Sequence, residues 1–142
     1  MEIKWESKYC LDIKMIDDQH QHLVNLYNKI VQSHSKKQPP LLVGAFVRGF
    51  LDQAKLHFKT EEAELRKINY QNINKHKESN DTFVIKITGY LAEFNKGNES
   101  TAEQTLEYIK DWLLNHILHD NRMFATSIKN SANTPSFQTA TA

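Results

Sequence analysis

A hydrophobic repeat with the period of an α-helix constrains this chain more than any other feature, because it recurs in four successive segments. The segments cover about residues 17–36, 41–68, 73–94 and 101–129. They are separated by Pro39-Pro40, a short link at residues 70–72 and an Asn-rich turn at residues 95–98. Four amphipathic helices with short connections predict an all-α fold, an up-down-up-down four-helix bundle.

The two ends of the chain lack this period. Residues 1–16 carry Trp5, Tyr9, Ile13 and Ile16 and predict an N-terminal arm that packs on the bundle. Residues 131–142 are rich in Ser, Thr and Ala, which is typical of a disordered tail. We therefore expect one domain at residues 1–130, with the arm included, followed by the tail.

Composition excludes several classes of protein. The 142 residues hold 18 Lys and Arg against 17 Asp and Glu, so the basic surplus typical of nucleic-acid binding is missing. No apolar run reaches the ~20 residues of a membrane span. Cys10 is the only cysteine, which excludes disulfide frameworks and iron–sulfur clusters and favours a reducing compartment. We expect a cytoplasmic monomer that binds neither nucleic acid nor membrane.

Four of the seven histidines fall one to each predicted helix. They are His20 near the start of the first, His57 late in the second, His76 near the start of the third and His116 past the middle of the fourth. In an antiparallel bundle the starts of odd helices and the ends of even helices share one end, so these side chains converge. Glu61 follows His57 by four positions and therefore shares its helix face.

A metal ion is the interpretation that best explains this convergence. A single histidine on an apolar face is usually an ordinary packed residue. Four of them with a carboxylate are costly to bury, since each polar group without a partner costs roughly 1–3 kcal/mol. Histidine and glutamate without cysteine suit iron, manganese or zinc. His22 and His34 have the ordinary interpretation of surface or boundary residues. His119, three residues after His116, is either a residue that supports the ligands from behind or a solvent-facing one.

Two familiar iron motifs are absent from the sequence. No Glu is followed three residues later by His, the spacing that carboxylate-rich di-iron bundles use. The Cys-x-x-Cys-His motif of covalently attached haem is also missing. The predicted site is therefore dominated by histidine.

Several short motifs resemble those of bacterial hemerythrins, single-domain non-haem iron proteins that bind dioxygen reversibly. The motifs are Trp5 and Tyr9 of the arm, Ile16-Asp17-Asp18-Gln19-His20, His57-Phe58-Lys59-Thr60-Glu61-Glu62, His76-Lys77 and Trp112-Leu113-Leu114-Asn115-His116-Ile117. In this order they extend the match over about residues 5–124. The resemblance implies a four-helix bundle with an arm lying across it.

The same resemblance implies a di-iron centre, in which seven residues hold two irons bridged by an oxygen atom and by two carboxylates. His20 and His57 correspond to ligands of one iron. His76 and His116 correspond to ligands of the other, and Glu61 to a bridging carboxylate. The apolar positions that line the family's dioxygen pocket correspond to Leu113, Phe58, Phe83 and Phe124.

Two positions depart from the family pattern. Asn80 stands where the family has a third histidine for the second iron, and Asn121 stands where it has the second bridging carboxylate. A neutral amide oxygen is a weaker iron ligand than either group, so the second iron is in doubt. Asp120 follows His116 by four residues, and an ideal α-helix would place it on the inward stripe as a partial replacement.

Three functions follow from these residues. The first is a dioxygen-binding protein for oxygen storage, delivery or sensing, with dioxygen as its partner and iron as its cofactor. The second is a degenerate binding or sensory module that holds one metal or none, which the two asparagines favour. The third is an iron enzyme that consumes peroxide or nitric oxide. We expect the first and hence no enzymatic activity.

Overall fold

The computed structural model describes residues 1–132, apart from the side chains of Phe124, Ser131 and Ala132. The helices are α1 at Lys14–Ser35, α2 at Pro40–Lys67, α3 at Ile73–Asn95, α4 at Ala102–Asn115 and α5 at Asn121–Ala132. A five-residue π-helical segment at His116–Asp120, hereafter the π turn, joins α4 to α5, and Ser7–Tyr9 form a 3₁₀ turn. Residues 1–132 contain no strand. Of the predicted tail, residues 133–142 lie outside the described residues, and the last helix continues to Ala132.

Three local motifs end the first three helices. Each helix is followed, two residues after its last position, by a left-handed residue, namely Lys37 (φ 56°), Asn69 (φ 52°) and Gly97 (φ 79°). The next amide then bonds back across the helix end, in the pairs Gln38 N–Ser33 O, Tyr70 N–Leu65 O and Asn98 N–Glu93 O at 3.0–3.1 Å. These are Schellman caps, and they turn the chain sharply enough for successive helices to run antiparallel.

The helices pack in a closed bundle. α2 lies between α1 and α3, and α4 contacts both α1 and α3. The core is formed by large apolar side chains with almost no exposed surface, among them Leu23, Tyr27, Ile30, Phe50, Phe83, Ile87, Phe94, Leu106 and Ile109. The prediction of an all-α, four-helix bundle is confirmed. None of the helices in residues 1–132 is long and apolar enough to cross a lipid bilayer.

The N-terminal arm is tied to α1 by side-chain hydrogen bonds. Asn28 pairs with both backbone groups of Ile3, at 2.8 Å each. Asp17 accepts hydrogen bonds from the amides of Leu11 and Asp12. Helix α1 begins at Lys14, three residues before the predicted start. Asp17 therefore lies inside the first turn of α1, and it anchors the arm from there.

The π turn divides the predicted fourth helix and changes which residues face the core. A π turn holds one residue more than an α turn, so the positions after it are rotated about the helix axis. Asn121 is consequently buried at 0% exposure. The side chain of Asp120 is 46% exposed. The expectation that Asp120 lies on the inward stripe is wrong, because it assumed an unbroken α-helix.

Candidate metal centre

Four side chains from three parts of the bundle meet at one buried point. α1 supplies His20, α2 supplies His57 and Glu61 from successive turns, and the π turn supplies His116. Each is at most 1% exposed. One potential ligand atom from each lies within 4.8 Å of the others. We call these four residues the convergent cluster.

The ligand atoms of the convergent cluster face one another directly. The Nε2 atom of His57 lies 3.1 Å from His20 Nε2 and 3.3 Å from His116 Nε2. The Oε2 atom of Glu61 lies 2.9 Å from the Nε2 atoms of both His57 and His116. All three imidazoles therefore present the same ring nitrogen to a single carboxylate oxygen or to each other.

Hydrogen bonding alone cannot satisfy this arrangement. The Nε2 atom of His57 has three polar neighbours within 3.3 Å, yet an imidazole nitrogen carries at most one hydrogen and can donate to only one of them. A cation between these atoms would accept a lone pair from every one of them. Three imidazole nitrogens and a carboxylate oxygen also form a donor set suited to iron, manganese or zinc. The residues present therefore fit a metal ion.

Burial and charge prepare these groups for a cation. Burial, reinforced by the neighbouring His57 and His116, holds the pKa of His20 well below its usual value, so this imidazole is neutral at pH 7 and carries a lone pair on one ring nitrogen. Burial opposes ionisation of Glu61. His116 and His57 outweigh that effect and hold its pKa well below the usual range, so the carboxylate is charged.

His76 stands on the other side of the same carboxylate. Its Nε2 atom lies 3.1 Å from Glu61 Oε1, the oxygen that does not face the convergent cluster. Although burial lowers the pKa of His76, the hydrogen bond and charge of Glu61 outweigh it and raise the value. His76 also lines an open cleft of about 240 Å³, whose other walls include Lys75, Asp120 and Met123. The structure thus brings His76 to Glu61 but not into the convergent cluster.

Both asparagines that depart from the family pattern point into the buried region. Asn121 is fully buried and its amide nitrogen lies 2.5 Å from His20 Nε2. Asn80 is 3% exposed. Within the described residues, Asn80 Nδ2, Asn121 Oδ1 and His20 Nδ1 are buried without a hydrogen-bond partner. Asp120 stays outside, with its carboxylate 3.9 Å from His116 Nδ1.

Apolar and aromatic side chains surround the convergent cluster. The ring of Phe58 lies 5.9 Å from that of His116, and Phe83 packs on Phe58 at 6.2 Å. Leu113 is fully buried one turn before His116. Three of the four predicted pocket residues therefore lie in the core beside the convergent cluster. The side chain of the fourth, Phe124, is outside the described residues.

Two neighbours of the site were not predicted. Trp112 stacks on His116 with ring centroids 4.6 Å apart, and its position four residues earlier on the helix is a signal that could have revealed it. Gln19 bonds to the outer nitrogen of His57 at 2.6 Å across two helices. No spacing in the sequence indicates that contact. By contrast, His22 and His119 are exposed and His34 is partly exposed.

Comparisons with known proteins agree with this geometry. Residues 11–127 match the model of the hemerythrin HHE cation binding domain. A hemerythrin-like protein of Naegleria gruberi is 28% identical over 113 residues, which cover 80% of this chain and 82% of the relative. A bacteriohemerythrin of Methylococcus capsulatus is 25% identical over 118 residues, covering 83% and 89%.

Solved structures agree on the fold. A crystal structure of wild-type hemerythrin superposes with a TM-score of 0.81 at 23% sequence identity, covering 90% of this chain and 98% of that one. A further hemerythrin structure, of a mutant, gives a TM-score of 0.80 over 89% of this chain. At this identity the likeness is one of fold.

Proposed function

The chain belongs to the hemerythrin family, and from that premise we propose that it holds iron in the bundle core and binds dioxygen there reversibly. Proteins of this family bind oxygen and are not enzymes, and this chain is accordingly not an enzyme. Iron, when bound, supplies the redox chemistry that dioxygen uptake requires. The donors, the charge and the exclusion of water come from the residues around it.

The observation that carries the proposal is the convergent cluster. His20, His57 and His116 offer one ring nitrogen each, and Glu61 supplies a negative charge at the same point. In a buried site that charge attracts a cation far more strongly than it would in water. These four residues would hold the first metal ion. His76, with the Oε1 atom of Glu61, would contribute to a second position.

The apolar wall supports dioxygen as the ligand. Phe58, Phe83 and Leu113 are buried apolar side chains beside the convergent cluster. Side chains of this kind keep water and protons away from a reactive bound molecule. The predicted fourth member of the wall, Phe124, stays a prediction.

The second function, a module holding a single metal, is favoured by one specific observation. Four of the five predicted ligands share one point, whereas the position beside His76 is flanked by Asn80 and opens to a cleft. A chain of this kind would hold one metal ion and would serve as a binding or sensory domain.

Metal analysis and spectroscopy distinguish the two functions. The protein is purified in air, its iron content per chain is measured, and the reduced protein is cycled between argon and oxygen while the visible spectrum is recorded. We expect iron and a spectral change that reverses on removing oxygen, with the metal-free protein as control. One metal per chain and no response to oxygen would favour the single-metal module. No bound metal of any kind would overturn both.

Location and assembly stay predictions. We propose a cytoplasmic monomer without a nucleic-acid partner, because the charges balance and the lone Cys10 is an exposed free thiol. Gel filtration of the purified chain tests the oligomeric state.

A further inference from the structure

We propose that Gln19 and Thr60 are positioning residues that hold His57 in the tautomer whose Nε2 atom can bind a metal within the convergent cluster. The inference rests on the proposed function, since it takes His57 to be a ligand. It concerns residues outside the convergent cluster, and it follows from the direction of three hydrogen bonds.

A chain of contacts leads from the backbone of α2 to the outer nitrogen of His57. The Thr60 hydroxyl lies 3.3 Å from the carbonyl oxygen of Leu56. The Thr60 oxygen lies 3.3 Å from Gln19 Nε2, and Gln19 Oε1 lies 2.6 Å from His57 Nδ1. Gln19 belongs to α1 and the other residues to α2, so the chain of contacts also links the two helices.

The direction of each hydrogen bond is set by the one before it. A backbone carbonyl can only accept, so Thr60 donates its single hydroxyl hydrogen to Leu56. The Thr60 oxygen must then accept from Gln19, which turns the amide NH₂ group of Gln19 toward Thr60 and its carbonyl oxygen toward His57. A carbonyl oxygen next to Nδ1 requires a hydrogen on that nitrogen.

This hydrogen decides what His57 offers to the site. In a neutral imidazole only one nitrogen carries hydrogen, so Nδ1–H leaves a lone pair on Nε2, the atom that faces Glu61 and the other two histidines. Hydrogen bonds to the outer nitrogen of metal-binding histidines set both tautomer and ring orientation. When a metal is bound at Nε2, Gln19 and Thr60 would therefore hold His57 in its ligand form.

The other two histidines of the convergent cluster lack this support. Among the described residues, His20 Nδ1 has no partner. His116 Nδ1 is 3.9 Å from Asp120 Oδ2, which is too long for a hydrogen bond. His57 is thus the imidazole whose orientation is set most firmly, and it lies between the other two.

The first test measures zinc affinity, with Zn²⁺ as a diamagnetic probe and a competing chelator. Gln19→Leu removes the acceptor, and we expect about tenfold to 100-fold weaker binding, the range seen for partners of ligands. Thr60→Val frees the Gln19 amide to turn its NH₂ group toward Nδ1, and we expect a smaller loss, about threefold to tenfold. Gln19→Glu and Thr60→Ser keep the acceptor oxygens, so both variants should bind zinc about as tightly as the parent.

Matched controls exist on both helices. Gln21→Leu changes an exposed glutamine of α1 two residues away. Thr82→Val removes an exposed hydroxyl that makes the same bond to a backbone carbonyl four residues earlier, at 3.0 Å on α3. Both controls should bind zinc as tightly as the parent.

The second readout is the Nδ1–H proton of His57 in the zinc-loaded protein, followed by NMR. We expect it far downfield and slow to exchange with water in the parent, in Gln19→Glu and in both controls, and lost to rapid exchange in Gln19→Leu. Suppose that the parent binds metal, and that Gln19→Leu and Thr60→Val bind zinc as tightly as the parent and keep the Nδ1–H proton. The inference is then wrong, while the proposed function stands. If the parent binds neither zinc nor iron, both are overturned.

Discussion

The two sides of the Glu61 carboxylate differ in enclosure and in donors. On the Oε2 side, three imidazoles with at most 1% exposure converge within the core of the bundle. On the Oε1 side, His76 Nε2 lies 3.1 Å from the carboxylate, and His76 lines an open cleft. One carboxylate therefore links a buried group of imidazole donors to a more accessible position beside the cleft.

The difference shows where the two asparagines matter. Removing a ligand from a site with four convergent donors leaves several others, whereas the pair formed by His76 Nε2 and Glu61 Oε1, 3.1 Å apart, lies outside that cluster beside an open cleft. Burial also strengthens the attraction between Glu61 and a cation on the enclosed side, while water in the cleft screens it on the other. We expect one tightly held metal ion and one that is weakly held or exchanges readily.

The largest effect is expected for His57→Ala. His57 contacts every other member of the convergent cluster, so its loss should weaken metal binding by at least about 100-fold, more than the loss of a partner of a ligand. The loss of metal binding is measured as the iron content per chain of the purified variant. His34→Ala is the control, because His34 lines a groove with Met1 and Glu103, away from the site. Equal iron contents in the two variants would contradict the site assignment.

A gain of metal is expected from Asn80→His combined with Asn121→Asp. The first change supplies an imidazole, a far better iron ligand than an amide, and the second supplies a negative charge at a fully buried position. Iron should rise from about one to about two ions per chain, together with a more persistent response to oxygen. A parent that already holds two ions resistant to a chelator would show that the asparagines do not weaken the second position.

A smaller effect is expected for His76→Ala. This change removes the principal nitrogen donor on the cleft side but leaves the convergent cluster intact. Affinity for the first metal ion should fall by less than about tenfold, because His76 reaches only the other oxygen of Glu61. Chelator competition, run beside His57→Ala, measures it. A loss as large as that of His57→Ala would mean that the two sides form a single unit.

The smallest effect is expected for Asp120→Asn. Its carboxylate is 46% exposed and 3.9 Å from His116 Nδ1, so solvent screens its influence on the site. Iron content should stay within about twofold of the parent, the scale of a weak surface ion pair. A marked loss of iron would show that Asp120 reaches the metal in solution.

The helical period and the histidine spacing were enough to predict the bundle and most of the centre. His57 and Glu61 lie one turn apart on one helix, and His20 and His116 come from helices whose relative direction follows from short connections. These features depend on local periodicity, which a sequence displays directly. The Schellman caps at Lys37 and Asn69 use residues other than glycine in the left-handed region, and composition does not reveal them.

Other features of the centre depend on contacts that sequence does not display. The bond from Gln19 to His57 crosses two helices, and its existence depends on how closely α1 and α2 pack. The π turn at His116–Asp120 contains neither Gly nor Pro, so the sequence gives no sign of an irregular turn there. A single unrecognised turn was enough to send Asp120 out of the core and Asn121 into it.

The π turn also affects how this chain is aligned with any protein whose last helix is a regular α-helix. The buried positions run through Ile109, Leu113, His116 and Ile117, and after the π turn they continue at Asn121 and Ala125. A π turn adds one residue to the count of an α-helix. An alignment with a protein whose helix is α-helical throughout needs a one-residue gap between His116 and Asn121. Without that gap, every position from Asn121 onward would be matched to a residue on a different face of the helix.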